Sequence, residues 1–387
     1  MKADRSNTVL MTEGSIGRKL FLFAMPLVLG NLLQQLYNTA DSVIVGNFVG
    51  SNALAAVGSS GSPIYLLIGF SQGLAVGAGV VVSQFLGAKD HREAQEAVHT
   101  SLAIAVIMGL LLTVGGIACG RALLVAMNTP AEVLGDAVTY IRIYFGGVLF
   151  SVVYNMTAGI LNAAGNSRRS LIYLAWASVT NIVLDLVFII GFHMGAKGAA
   201  VATVIAQGTS GVLCLFYIIA KVPVLHLKRE DFYVESDIYK NQLRIGIPMA
   251  LQYSITAIGA MMVQSSLNIL GSTLVAAYTA AGKIEQVVTQ AYVAMGTTMA
   301  TYGAQNMGAG SVKRIREGFR ACTIIGAVYS VAAAAFIMTV GKFMTYLFVS
   351  EDVNVIMSSV DVYLKCIGIF FIPLAIVNIY RNGIQGL

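Results

Sequence analysis

The sequence predicts an all-α polytopic membrane protein made of two parallel helical repeats, and three observations carry that prediction. Of the 387 residues, 57% are hydrophobic and only 11% are charged, against roughly 25% charged in soluble domains. The apolar residues gather into runs of at least the ~20 residues that a spanning helix needs. Polar residues and glycines recur between the two halves at an offset of 221 to 223 positions. A chain so poor in charge cannot clothe its surface for water, and the mean hydropathy of +0.77 agrees. Forty Gly against six Pro also suit membrane helices, where small residues allow close approach.

About ten apolar segments are found, with approximate cores at 20–45, 54–86, 97–119, 133–163, 170–192, 198–220, 243–269, 275–304, 319–340 and 355–386. They read as helices because barrel strands would alternate over ~10 residues instead. Several exceed the minimum, so tilt or overhang is expected. The first 19 residues are polar, with no cleavage-like pattern before the first span. No removable signal peptide is expected, and the first apolar segment should direct insertion.

Lys and Arg in short loops set the orientation. With the N-terminus in the cytoplasm, 18 of the 24 basic residues fall on the inner side. The others, Arg121, Arg142, Lys197, Lys283, Lys342 and Lys365, fall at outer loops or upper helix turns. The isoelectric point near 9.1 therefore reflects loops rather than a basic stripe, and no nucleic-acid partner is expected. Cys119, Cys214, Cys322 and Cys366 lie far apart without CxxC or Cys/His spacing. Neither zinc nor a disulfide framework follows.

The repeat divides the chain. Pro26 falls on Pro248, Gly50-Ser51 on Gly271-Ser272, and Gln84, Gly87 and Ala88 on Gln305, Gly308 and Ala309. Tyr140 falls on Tyr363 and Asn155 on Asn378. Six spans separate the copies, so both stand the same way up, related by an axis along the membrane normal. Parallel repeats of this kind are a transporter design. The expected organisation is an N-lobe over 1–220, a cytoplasmic linker over 221–242 and a partial C-lobe over 243–387. Leu387 aligns with Ala164, so spans five and six lack counterparts, and a C-terminal piece of roughly 56 residues is expected beyond Leu387.

Two acids stand inside spans: Asp41 in span one and Asp185 in span five. A carboxylate at the bilayer centre costs about 2.5–3.5 kcal/mol on insertion scales. Asn181 precedes Asp185 by one helical turn and shares its face. If span one faces span five, the three groups meet. Burial and a neighbouring carboxylate both favour the protonated form of an acid, which suits proton loading. The same oxygens, with the Thr203 hydroxyl of span six, suit sodium, a hard cation. The alternative for each acid is a cap or a backbone partner, and for Thr203 a bond to its own helix.

The acid pair is not duplicated, since Asn38 and Asp41 align with Ala260 and Val263. Gln34, Asn38, Gln252, Gln264, Met261 and Asn378 are candidates for a substrate cavity, with ordinary interhelical hydrogen bonds as the alternative for the polar ones. Glu285 and Lys283 are expected in the outer part of span eight.

The pattern resembles the MATE family of multidrug and toxin exporters, in the MOP superfamily. The likeness lies in Pro26 and Pro248, in Asp41-Ser42-Val43-Ile44-Val45-Gly46, in Leu161-Asn162-Ala163-Ala164-Gly165-Asn166, and above all in the Gln-x-x-Gly-Ala element at Gln84 and Gln305. It is nearest to the prokaryotic DinF/MepA-like branch. The resemblance implies twelve spans in two six-helix lobes, and export of organic cations against proton or sodium entry. It implies an N-lobe ion site at Asp41, Asn181, Asp185 and Thr203, no catalysis and no cofactor beyond the coupling ion. A monomer in the bacterial inner membrane is expected. The C-lobe offers only Glu285 as an acid for a second, NorM-like cation site. The alternative within the superfamily is a lipid-linked oligosaccharide flippase, whose pyrophosphate cargo needs buried Arg or Lys. A membrane enzyme would need a clustered constellation, which the scattered His91, His99, His193 and His226 do not form.

Overall fold

The structure is a computed structural model and describes residues 10–127, 129–222, 236–268, 272–347 and 353–387. The described residues form an all-helical bundle. In chain order the α-helices are α1 (Ile16–Phe48), α2 (Ser51–Gly87), α3 (His91–Ala126), α4 (Ala131–Gly146), α5 (Val148–Ala163), α6 (Ser167–Asp185), α7 (Ala196–Lys221), α8 (Ser236–Asn268), α9 (Ser272–Gly308), α10 (Val312–Thr339), α11 (Val353–Ile369) and α12 (Phe371–Gln385). A π-helical stretch, Leu186–Gly191, prolongs α6, and a 3-10 turn, Gly341–Leu347, follows α10. Most of the predicted linker lies outside the described residues, and its last residues are already helical in α8.

Lipid accounts for what the surface looks like. Ile107, Leu110, Leu111 and Val114 on α3 are exposed, as are Ile324, Val328 and Val331 on α10. These are stripes at helical spacing, and large exposed apolar stripes are not tolerated in water. Six helices are long and apolar enough to cross a membrane, and two bent helix pairs bring the number to as many as eight. With α8 and α9, of 33 and 37 residues, ten rods match the ten predicted segments.

Two predicted spans are broken rather than straight. The α4–α5 pair bends by 47° and the α11–α12 pair by 51°, and these pairs are repeat counterparts. Each break has a local cause. The first falls at Gly146-Gly147, where a glycine pair weakens the helix. At the second, Pro373 has no N–H to give to the carbonyl of Ile369.

The Gln-x-x-Gly-Ala element proves to be one helix ending used twice. After α2, the Asp90 amide donates to Phe85 O at 3.0 Å and Lys89 has φ 59°. After α9, the Ser311 amide donates to Asn306 O at 2.8 Å and Gly310 has φ 68°. Both are left-handed helix stops. The Asp90 side chain then caps α3 by accepting from the Glu93 amide at 3.2 Å.

These two endings also join the halves. Gln84 Nε2 donates to Gly386 O at 3.3 Å, and Gln305 Nε2 donates to Ala163 O at 2.9 Å. The bonds cross between halves in opposite senses. Beside them, a Cβ built on Gly87 would lie 1.9 Å from Gln305 O, and one on Gly308 1.9 Å from Gln84 O. Higher up, a Cβ on Gly77 would lie 2.4 Å from the Gly246 backbone, so α2 and α8 touch main chain to main chain. Towards the opposite end, Gly58 and Gly61 on α2 and Gly259 on α8 meet nothing within 4 Å. The halves are thus closed at the end that bears residues 10–15.

Residues 10–15 form a strap over the closed end. The Met11 amide donates to Gln305 Oε1 at 2.7 Å, and its side chain is buried with Met295, Met299 and Tyr302. Arg314 donates to Met11 O and Gly14 O at 3.2 Å each, and to Asn306 Oδ1 at 3.2 Å. Hydrogen bonds to charged groups contribute about 1.5–3 kcal/mol, and ~1.4 kcal/mol is a factor of ten. Arg314→Ala is therefore expected to speed hydrogen exchange at the Met11 amide by about tenfold or more. Unchanged protection would mean that the strap is held by its apolar contacts alone.

Candidate functional site

The site grows from three helices. α1 packs along α6, and α6 packs along α7. Within α1, Tyr37 and Asp41 are one turn apart. On α6, Asn181 and Asp185 are one turn apart and both are buried. On α7, Thr203 and Gln207 are one turn apart. Each pair shares a helix face by its i, i+4 spacing, and the three faces converge.

At the centre, the Asp41 and Asp185 carboxyl groups meet side chain to side chain. Asn181 Nδ2 donates to Thr203 Oγ1 at 3.3 Å, which leaves its carbonyl oxygen free for the centre. Asp41 Oδ1, both Asp185 oxygens and Asn181 Oδ1 are buried and meet no protein donor. Two carboxylates cannot face each other at low dielectric without a positive partner. The donor set is entirely oxygen, which fits a proton shared between the acids or a hard monovalent cation.

The predicted ion-site residues are thus brought together. Around them stand residues that were not predicted. The Tyr37 hydroxyl accepts from Gln207 Nε2 at 3.4 Å. Tyr140 and Tyr144 of α4 are buried beside the pair, within electrostatic reach of Asp41. The helical spacing from Asp41 back to Tyr37, and from Thr203 on to Gln207, is the sequence signal that could have found two of them. The π-helical stretch starts directly after Asp185. Such widened turns recur at functional sites because they displace a side chain from its regular position.

The cavity candidates separate. Gln34 lines a cavity of about 150 Å³ between the halves, with Asn31, Gln72, Asn155, Tyr253 and Thr297 among its polar residues. Asn38 is exposed one turn further along α1. Gln252 accepts from Gln385 Nε2 at 2.6 Å. Asn378 donates to Leu374 O at 2.9 Å and accepts from Arg381 at 3.1 Å. Both are engaged with neighbours. The side chains of Met261 and Gln264 lie outside the described residues. In the second half, Glu285 accepts from the Tyr363 hydroxyl at 2.7 Å.

An acid pair sunk in one of two helical repeats, beside a cavity on the seam between them, is the arrangement of a membrane transporter built from parallel repeats. The MatE family model matches residues 26–187 and 245–387, once in each half. The chain belongs to the MATE family of transporters, in the MOP superfamily. It is 32% identical over 374 residues to the probable multidrug resistance protein YpnP of Bacillus subtilis, covering 96% of this chain and 83% of that one. Two solved structures each superpose with a TM-score of 0.92 at 26% identity, covering 99% of this chain and 85% of theirs. One is described as the outward-facing conformation of a multidrug resistance MATE transporter. The other is described as a MOP-superfamily transporter from Pyrococcus furiosus whose reversed pocket polarity suggests a different function.

Proposed function

We propose that the chain is a secondary active exporter that moves drug-like organic cations outward in exchange for entering protons or sodium. The reading places the ion at Asp41, Asn181, Asp185 and Thr203, and the cargo in the cavity bordered by Gln34. It takes 1–220 and 243–387 as two lobes joined by 221–242. It sets the protein in the bacterial inner membrane as a monomer, with the N-terminus in the cytoplasm. The observation that carries it is the meeting inside the first lobe of two carboxyl groups, with Asp41 Oδ1 and both Asp185 oxygens buried without a donor. The similarity to the probable multidrug resistance protein YpnP supports a drug-like cargo.

The mechanism follows from where α1 stands. It carries Asp41 at the ion site and Gln34, two turns back on the same face, at the cavity. Ion entry offsets one of the two negative charges, relieves the repulsion between Asp41 and Asp185 and draws α1 towards α6, which reshapes the cavity wall. Ion and cargo then favour different arrangements of one helix, as exchange requires. The test is efflux of a cationic dye from proteoliposomes under an imposed pH gradient or sodium gradient. Transport driven by one gradient and not the other names the ion. Transport indifferent to both would overturn the reading.

A second reading has one observation in its favour. Arg381 Nε is buried without an acceptor, and the side chain faces Tyr253 on the cavity wall. A half-buried cation there, whose Nη2 donates to Asn378, favours cargo with an anionic group, as a lipid-linked oligosaccharide flippase would carry. The P. furiosus relative with reversed pocket polarity points the same way. Movement of a phosphate-bearing amphiphile but not of the cationic dye would favour it.

A further inference from the structure

A second cavity, of about 840 Å³, opens between α1 and α6 at the closed end of the bundle. We propose that it is a binding site for one anionic phospholipid, with the headgroup phosphate at its basic rim and an acyl chain along its apolar wall.

The rim carries Arg18, Lys19 and Arg168, and no carboxylate lines the cavity. Arg314 stands beside Lys19 and adds to the positive field, while Glu13, the acid that faces Lys19, lies outside the lining and is exposed. Two helix starts border the same rim. Neither Ser15 before α1 nor Asn166 before α6 makes a side-chain cap, and in α6 the Arg169 amide is met by Asn166 O at 3.2 Å. Uncapped helix starts attract anions. Arg18 and Arg168 are exposed, so their charges are available to a ligand.

Below the rim the wall turns apolar. Leu22, Met25 and Leu29 of α1 and Leu171 of α6 line it. Leu22, Met25 and Leu29 are 55%, 41% and 47% exposed, so the wall is open to a chain. From Arg18 to Leu29 the helix rises about 16 Å, close to the depth of one leaflet. A free phosphate would use the rim alone, and a zwitterionic lipid would leave the excess positive charge unmatched. Basic pockets between spans at one membrane face hold anionic headgroups for these reasons.

The site has a structural partner. Met11, Gly14 and Ser15 of the strap form part of its wall. The cavity therefore exists in this shape while the strap is docked, and a lipid bound there favours the closed end.

The experiment measures retention of phosphatidylglycerol and phosphatidylcholine by the purified full chain, using native mass spectrometry. The wild type is expected to retain phosphatidylglycerol preferentially. Arg18→Gln/Arg168→Gln is expected to lower that retention by about twenty-fivefold, since each surface cation contributes about a factor of five. Arg316→Gln/Arg320→Gln removes the same charge from exposed positions on α10 outside the cavity and is expected to change nothing. Three results would each overturn the proposal. These are equal retention of both lipids, equal loss in the two double variants, and displacement of the lipid by millimolar inorganic phosphate.

Discussion

Asp185→Asn is expected to abolish gradient-driven efflux while leaving the protein as stable as before or more so. The two effects share one cause. In the bundle, both Asp185 oxygens are buried and face Asp41 without a donor. A carboxylate in that setting is held against a desolvation penalty of several kcal/mol. Asparagine has nearly the same shape and removes the charge, so the penalty goes and so does the means of attracting a cation. Efflux should fall at least tenfold, and the midpoint of thermal unfolding should hold or rise. An ion-pair acid with a structural role behaves in the opposite way, because removing one partner of a buried pair costs about 3–5 kcal/mol. Loss of both efflux and stability would therefore recast Asp185 as a structural residue. Retained efflux would remove it from the coupling site altogether.

The second large effect is expected at Gly87. The 1.9 Å gap from its built Cβ to Gln305 O leaves no room for any side chain, and the obstacle is main chain, which cannot rotate away. Gly87→Val must push α2 from the end of α9. Overpacking of this kind costs about 1–3 kcal/mol. That cost falls on the closed arrangement of this end and spares an arrangement in which the lobes have parted there. The population should shift towards the parted form by about fivefold to a hundredfold. Spin labels at the ends of α2 and α9 read that distance directly. A distribution identical to the parent's would show that the seam yields elsewhere.

Much of this architecture can be read along the chain. Ten apolar runs suffice for ten rods, because in lipid every backbone group must be satisfied within its own helix. The acid site was legible because Asn181 and Asp185 repeat at helical spacing, and an acid within an apolar run is conspicuous. Other features were hidden for definite reasons. Gly146-Gly147 breaks span four, but with forty glycines in the chain no local rule singles out that pair. Pro373 was a visible signal for the second break. The strap reads as a polar tail, since its anchors, Gln305 and Arg314, lie some 300 residues away. Gln252 and Asn378 have the same chemistry as Gln34, yet their bonds to Gln385 and Leu374 depend on packing that composition does not record.

Gln84 reaches across to Gly386 as Gln305 reaches across to Ala163, and each helix end abuts the glycine of the other. A patch that fits its own rotated image is what joins the two subunits of a symmetric homodimer. Here both copies lie on one polypeptide. The surface that joins the halves is self-complementary, so a half-length ancestor bearing a single such turn already possessed what it needed to pair with a second molecule of itself before duplication fused the two.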